Sequence, residues 1–82
     1  MPQAATPLIE RIARVLAGRA LSINANGSEG SAAGHVDRCW PEHREDALSI
    51  LRELREPDAA MAKAGDTEIW QKMVHAALVR AD

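Results

Sequence analysis

From Trp40 to Leu78 the chain reads WPEHREDALSILRELREPDAAMAKAGDTEIWQKMVHAAL, and its apolar residues recur three and four positions apart. This spacing is typical of amphipathic α-helices, because one helical turn takes 3.6 residues. Pro57 ends the helix that precedes it and can start a short helix of its own. Gly65 ends this short helix, and Asp66 or Thr67 can cap the helix that follows. No strand-like alternation interrupts the pattern, so we predict an all-α fold.

We predict a bundle of four helices in a single domain that covers residues 1–82. The first helix runs from about 7 to 20, and Pro41 places the start of the second near Trp40. The third helix is about two turns long, and the fourth follows Asp66. We expect helices two and four to form the main antiparallel pair, with helix one across them.

A loop is predicted between the first two helices, at about residues 22–37. This segment is rich in Gly, Ser and Asn and lacks an apolar period. We expect it to be flexible, since such a composition cannot bury enough apolar surface to order the chain.

The apolar stripes predict both a core and an exposed edge. The first helix also has apolar residues beside its main stripe, which predicts a surface for a homodimer or for an unknown protein partner. The predicted core is Ile9, Ile12, Leu16, Trp40, Leu48, Leu51, Leu54, Met61, Trp70, Met73, Val74 and Leu78, and the predicted interface is Leu8, Val15 and Ile50.

Composition narrows the class of protein. Ten basic against twelve acidic residues leave a net charge of −2, and the chain has neither Phe nor Tyr. Nucleic acid is therefore not the expected partner, because basic patches and stacking aromatic side chains are both scarce. The single cysteine, Cys39, fits a reducing compartment. No secretory signal and no membrane-spanning run is visible, so we expect a cytoplasmic protein.

Two chemical alternatives involve Cys39. His35, Cys39 and His43 recur every four residues, and with His75 they could bind zinc. The pattern lacks a recognised zinc signature, so we expect no metal and no other cofactor. His43 could also activate Cys39 as a nucleophile. Nothing marks a substrate pocket, and a small buried thiol is the ordinary state of a free cysteine, so we expect no catalytic residue and no enzyme.

A set of residues in the second half of the chain resembles a family of short uncharacterised proteins of alphaproteobacteria and their phages. The matching residues are Trp40, Ala47, Leu51, Leu54, Arg55-Glu56-Pro57, Met61, Ala64-Gly65, Trp70, Met73, Val74, Ala76, Ala77 and Leu78. The resemblance covers about half the chain. It implies a small helical fold in a bacterial or phage-related protein of unknown function, and it implies no catalytic residue.

For function, we predict a small non-enzymatic interaction or accessory module. The alternative is a phage-type DNA-binding regulator, because the short third helix, the turn at Gly65 and the fourth helix loosely imitate a helix-turn-helix. The helix that would enter the groove carries only Lys72 and Arg80 as basic residues.

Overall fold

The computed structural model describes residues 5–24 and 32–80. A 3₁₀ turn over Trp40–His43 joins two of the helices without a break, so together they form one long interrupted helix. Counted this way, the described residues form four helical segments with the third one short and with no strand, which confirms the all-α prediction. The α-helices are α1 (Leu8–Asn24), α2 (Ala32–Cys39), α3 (Arg44–Leu54), α4 (Ala59–Ala64) and α5 (Thr67–Arg80).

The predicted loop at 22–37 is wrong over much of its length. Helix α1 continues to Asn24 rather than ending near 20, and α2 occupies Ala32–Cys39. Residues 25–31 lie outside the described part of the chain. An eight-residue helix with a glycine is weak alone, and packing against α1 supplies the missing stability. Val36 lies beside Gly18, and Asp37 accepts a 2.6 Å hydrogen bond from Arg14.

Two aspartates begin the helices of the C-terminal half. Asp58 accepts a 2.9 Å hydrogen bond from the backbone N–H of Met61 and caps α4. Asp66 accepts a 3.2 Å hydrogen bond from the N–H of Ile69 and so starts α5. Each carboxylate satisfies a backbone donor that has no partner within its own helix.

Helix α1 packs along the whole of Ala32–Leu54, and it does so antiparallel. Gly18 and Arg14 lie near α2, while Ile9 joins the core beside α3. The contact between α3 and α5 is smaller than the contact between α1 and α3. Our expectation that helices two and four form the main pair is therefore wrong, because the upstream extension to Ala32 gives helix one a longer partner.

The core lies where α1, α3 and α5 meet. Its buried side chains are Ile9, Ala13, Ala47, Leu48, Leu51 and Val74, and the partly buried Leu8, Ile12, Leu16, Trp40, Trp70, Ala77 and Leu78 pack against them. Leu54, Met61 and Met73 are exposed, so their assignment to the core is wrong. In the described part of the chain, α4 makes no extensive contact with another helix, which leaves these three side chains uncovered.

The molecule is elongated. Its extents are 45 × 26 × 25 Å, and its Cα radius of gyration is 15.2 Å. A compact chain of this length has a radius of gyration of about 12 Å. The molecule is therefore less compact than a globular domain of its size, and several large apolar side chains stay exposed.

Candidate functional site

Helix α5 carries apolar side chains on two opposite sides. Its inner side, with Trp70, Val74 and Ala77, packs against the core. Its outer side consists of Ile69, Met73, Ala76 and Val79, all of which are exposed. The exposed fractions are 55% for Ile69, 63% for Met73 and 57% for Val79. A surface helix normally presents polar residues to water, so an apolar outer side indicates a binding surface.

Beside the outer side of α5, an open groove of about 310 Å³ separates this helix from α4. Its lining is mostly apolar, and one charged residue, Asp66, contributes to it. We call this the α4–α5 groove; it is lined by Pro57, Met61, Ala64, Gly65, Asp66, Thr67, Ile69, Trp70 and Met73. Concave apolar surfaces with few polar groups are the usual form of binding sites.

The geometry of the groove follows from local chain signals. Pro57 and the cap at Asp58 turn the chain into α4, and Gly65 with the cap at Asp66 turns it into α5. Trp70 is half-buried at the border between groove and core, and its indole Nε1–H donates a 2.6 Å hydrogen bond to the carbonyl oxygen of Leu54. This bond holds the indole in place beside the groove.

Polar and charged side chains lie along one edge of the apolar outer side of α5, and we call this edge the border. Glu68, Lys72 and His75 are exposed and succeed one another at four and three positions, so they lie on one side of the helix. Within the described part of the chain, neither Glu68 nor Lys72 forms an ion pair. The border therefore presents a negative charge near the start of α5 and a positive charge one turn later.

A second group of polar side chains, around Arg14, holds two helices together. Arg14 donates hydrogen bonds of 2.6 Å to Asp37 and 2.8 Å to Glu10, and its guanidinium lies 5.7 Å from the ring centre of Trp40. The bonds to Asp37 and then to Glu10 raise the pKa of Arg14, so it stays charged. This cluster fastens α2 to α1 and carries no reacting group.

The structure adds no evidence for a zinc site or for a nucleophilic thiol at Cys39. Among the described residues, no three His, Cys, Asp or Glu side chains are arranged to hold a metal ion, and His75 lies on α5. Partial burial, followed by a hydrogen bond with Glu42, raises the pKa of Cys39. A nucleophilic thiol requires the opposite shift, because the thiolate is the reactive form.

The three predicted interface residues differ in exposure. Leu8 packs against the core, which makes its place in an exposed edge wrong, whereas Val15 and Ile50 are exposed. The sequence analysis missed Ile69 and Val79, and it placed Met61 and Met73 in the core. The signal was present in α5, since Ile69 and Val79 are apolar residues outside the inner stripe.

Comparisons of the chain with protein-family models, curated proteins and solved structures give no match. The resemblance to the family of short bacterial and phage proteins stays a prediction. In the described part of the chain, no helix is both long enough and apolar enough to cross a membrane.

Proposed function

We propose that this protein is a small non-enzymatic interaction module that binds another protein chain through the α4–α5 groove and the outer side of α5. One observation carries the proposal. Ile69, Met73 and Val79 are exposed on a helix whose other side packs against the core. Transfer of such side chains out of water is favourable, at about 25 cal/mol per Å² of apolar surface.

The shape of the molecule also supports this function. A radius of gyration of 15.2 Å is larger than that of a compact chain of this length, so more of the surface is open to a partner. The groove offers apolar walls and few polar groups, which suits an apolar side chain better than a polar substrate.

No observation favours the DNA-binding alternative. The outer side of α5 would be the reading surface of a helix-turn-helix, and there it carries Ile69, Met73 and Val79 instead of a row of basic side chains. Phosphate contacts by Lys and Arg supply most of the affinity in nonspecific DNA binding.

The proposal is tested by photo-crosslinking in the cells that make the protein. A photoreactive amino acid replaces Met73 in one variant and Val15 in a control variant, and both parent side chains are 63% exposed. Illumination should give a discrete protein adduct from position 73 and none from position 15, because only Met73 borders the groove.

The adduct should also disappear when Ile69→Glu is added, since a carboxylate on the same side of α5 disfavours burial. Circular dichroism on each variant checks that the helices are retained. Absence of an adduct from position 73, or equal adducts from both positions, would exclude this surface as the binding site.

A further inference from the structure

The geometry points to a second copy of this chain as the occupant of that surface. Two α5 helices pack antiparallel about a twofold axis, outer side against outer side. The inference rests on the proposed function and names the partner. Twofold homodimers are the commonest assembly of soluble chains, and each copy then uses the same patch.

The outer side of α5 has the spacing that helix pairing needs. Ile69 and Met73 are four positions apart, and Ala76 follows three positions later. This alternation of four and three brings apolar residues to one seam along a helix pair. Ala76 is small, so two backbones can approach closely where it faces the other helix.

The charges at the two ends of α5 choose the antiparallel direction. Two antiparallel helices related by a twofold axis place the start of one helix beside the end of the other, with Met73 of both copies near the axis. A parallel pair would instead set the two starts side by side and the two ends side by side.

The two ends of α5 agree with this direction. Asp66 lines the groove at the start of the helix, and Arg80 ends it. In the antiparallel pair, Arg80 of one copy approaches Asp66 of the other. The partial charges of helix ends have the same complementarity, positive at the first turn and negative at the last.

The groove enlarges the area available to the second copy. Helix α5 has 14 residues, so it is about 21 Å long, and one short helix pair buries little surface. A stable dimer buries about 800 Å² per chain. The C-terminal half of the second copy's α5 lies over the α4–α5 groove, where Met61 and Trp70 add to the contact.

Sedimentation of the purified full chain over a dilution series from high to low micromolar tests the inference. The natural sequence should give twice the monomer mass at the high end. Met73→Lys should raise the dissociation constant at least about tenfold, as expected for a central apolar contact. Val15→Lys is the matched control, with the same 63% exposure, and should leave the dimer unchanged. Circular dichroism must show equal helix content in both variants.

A double-mutant cycle tests the direction. Asp66→Asn, which keeps an oxygen acceptor for the cap, and Arg80→Gln should each weaken the dimer, and the double variant should lose little more than either single one, because all three remove the same pair. A dimer that responds equally to Met73→Lys and Val15→Lys would overturn the inference, and so would a double variant whose loss is the sum of the losses from Asp66→Asn and Arg80→Gln.

A chain that stays monomeric at every concentration also overturns the inference. If position 73 then still crosslinks in cells to a protein of a different mass, the interaction function stands and only the second copy is excluded. An adduct with twice the chain mass supports both.

Discussion

The indole of Trp70 donates a 2.6 Å hydrogen bond from Nε1 to the backbone carbonyl oxygen of Leu54. This contact joins the last residue of α3 to the first turn of α5, and it satisfies a carbonyl that has no partner within its own helix. Residues 55–69 are thereby closed into a loop that carries α4. Helix α4 lies in that loop, away from the core, so Met61 faces the groove.

We expect Trp70→Phe to lower the free energy of unfolding by about 0.5–1.5 kcal/mol, the usual net contribution of one hydrogen bond. Trp40→Phe is the control, because Trp40 is also half-buried but donates no hydrogen bond from its indole in the described part of the chain. Urea unfolding measures both. Equal losses would show that the bond to Leu54 adds no stability.

Leu51→Ala should destabilise the protein by about 2–5 kcal/mol, because it removes a wholly buried side chain and leaves a cavity. Leu54→Ala, one turn later on the same helix, should cost less than about 1 kcal/mol, as exposed substitutions do. Thermal and urea unfolding of the two variants compare the sites. A similar cost at both would place Leu54 back in the core.

Asp66→Ala should cost about 1 kcal/mol, since it removes the side-chain acceptor that caps α5. Asp66→Asn keeps an oxygen acceptor and should cost much less. Hydrogen exchange locates the effect, because the amide of Ile69 loses its partner only in the alanine variant. Faster exchange of that amide in both variants would mean that the charge, and not the hydrogen bond, stabilises the first turn.

The thiol of Cys39 should react with alkylating reagents at a higher pH in the folded protein than in urea. Partial burial and then the hydrogen bond with Glu42 raise its pKa, so the folded state keeps the proton longer. The resulting stabilisation is present below the pKa of the unfolded thiol and is lost as the pH rises through the folded pKa. Labelling rates across the alkaline range give both profiles.

Glu42→Gln is the matched variant for that measurement. It removes the negative charge that disfavours the thiolate, so the folded profile should move back toward lower pH. A folded profile that coincides with the profile in urea would contradict the raised pKa.

Local signals in the sequence were enough to place the end of α3, both ends of α4 and the start of α5. Pro57, Asp58, Gly65 and Asp66 act on the backbone within one turn, so their effects can be read without knowing the fold. The start of the second helix was missed because Ala32–Cys39 has weak helical preference of its own. Its order comes from α1, through contacts such as Arg14 with Asp37, which are distant in sequence.

The helical period also determined which residues share a side, and in this way it placed Ile9, Leu48, Leu51 and Val74 together in the core. The exposure of Met73 and its outer neighbours on α5 depends on how the helices pack against one another. A period of 3.6 says which side chains lie on one side of a helix, but it does not say whether another helix covers them. Whether another helix covers the outer side of α5 depends on the position of α4, which lies away from the core. The local sequence pattern does not predict that position.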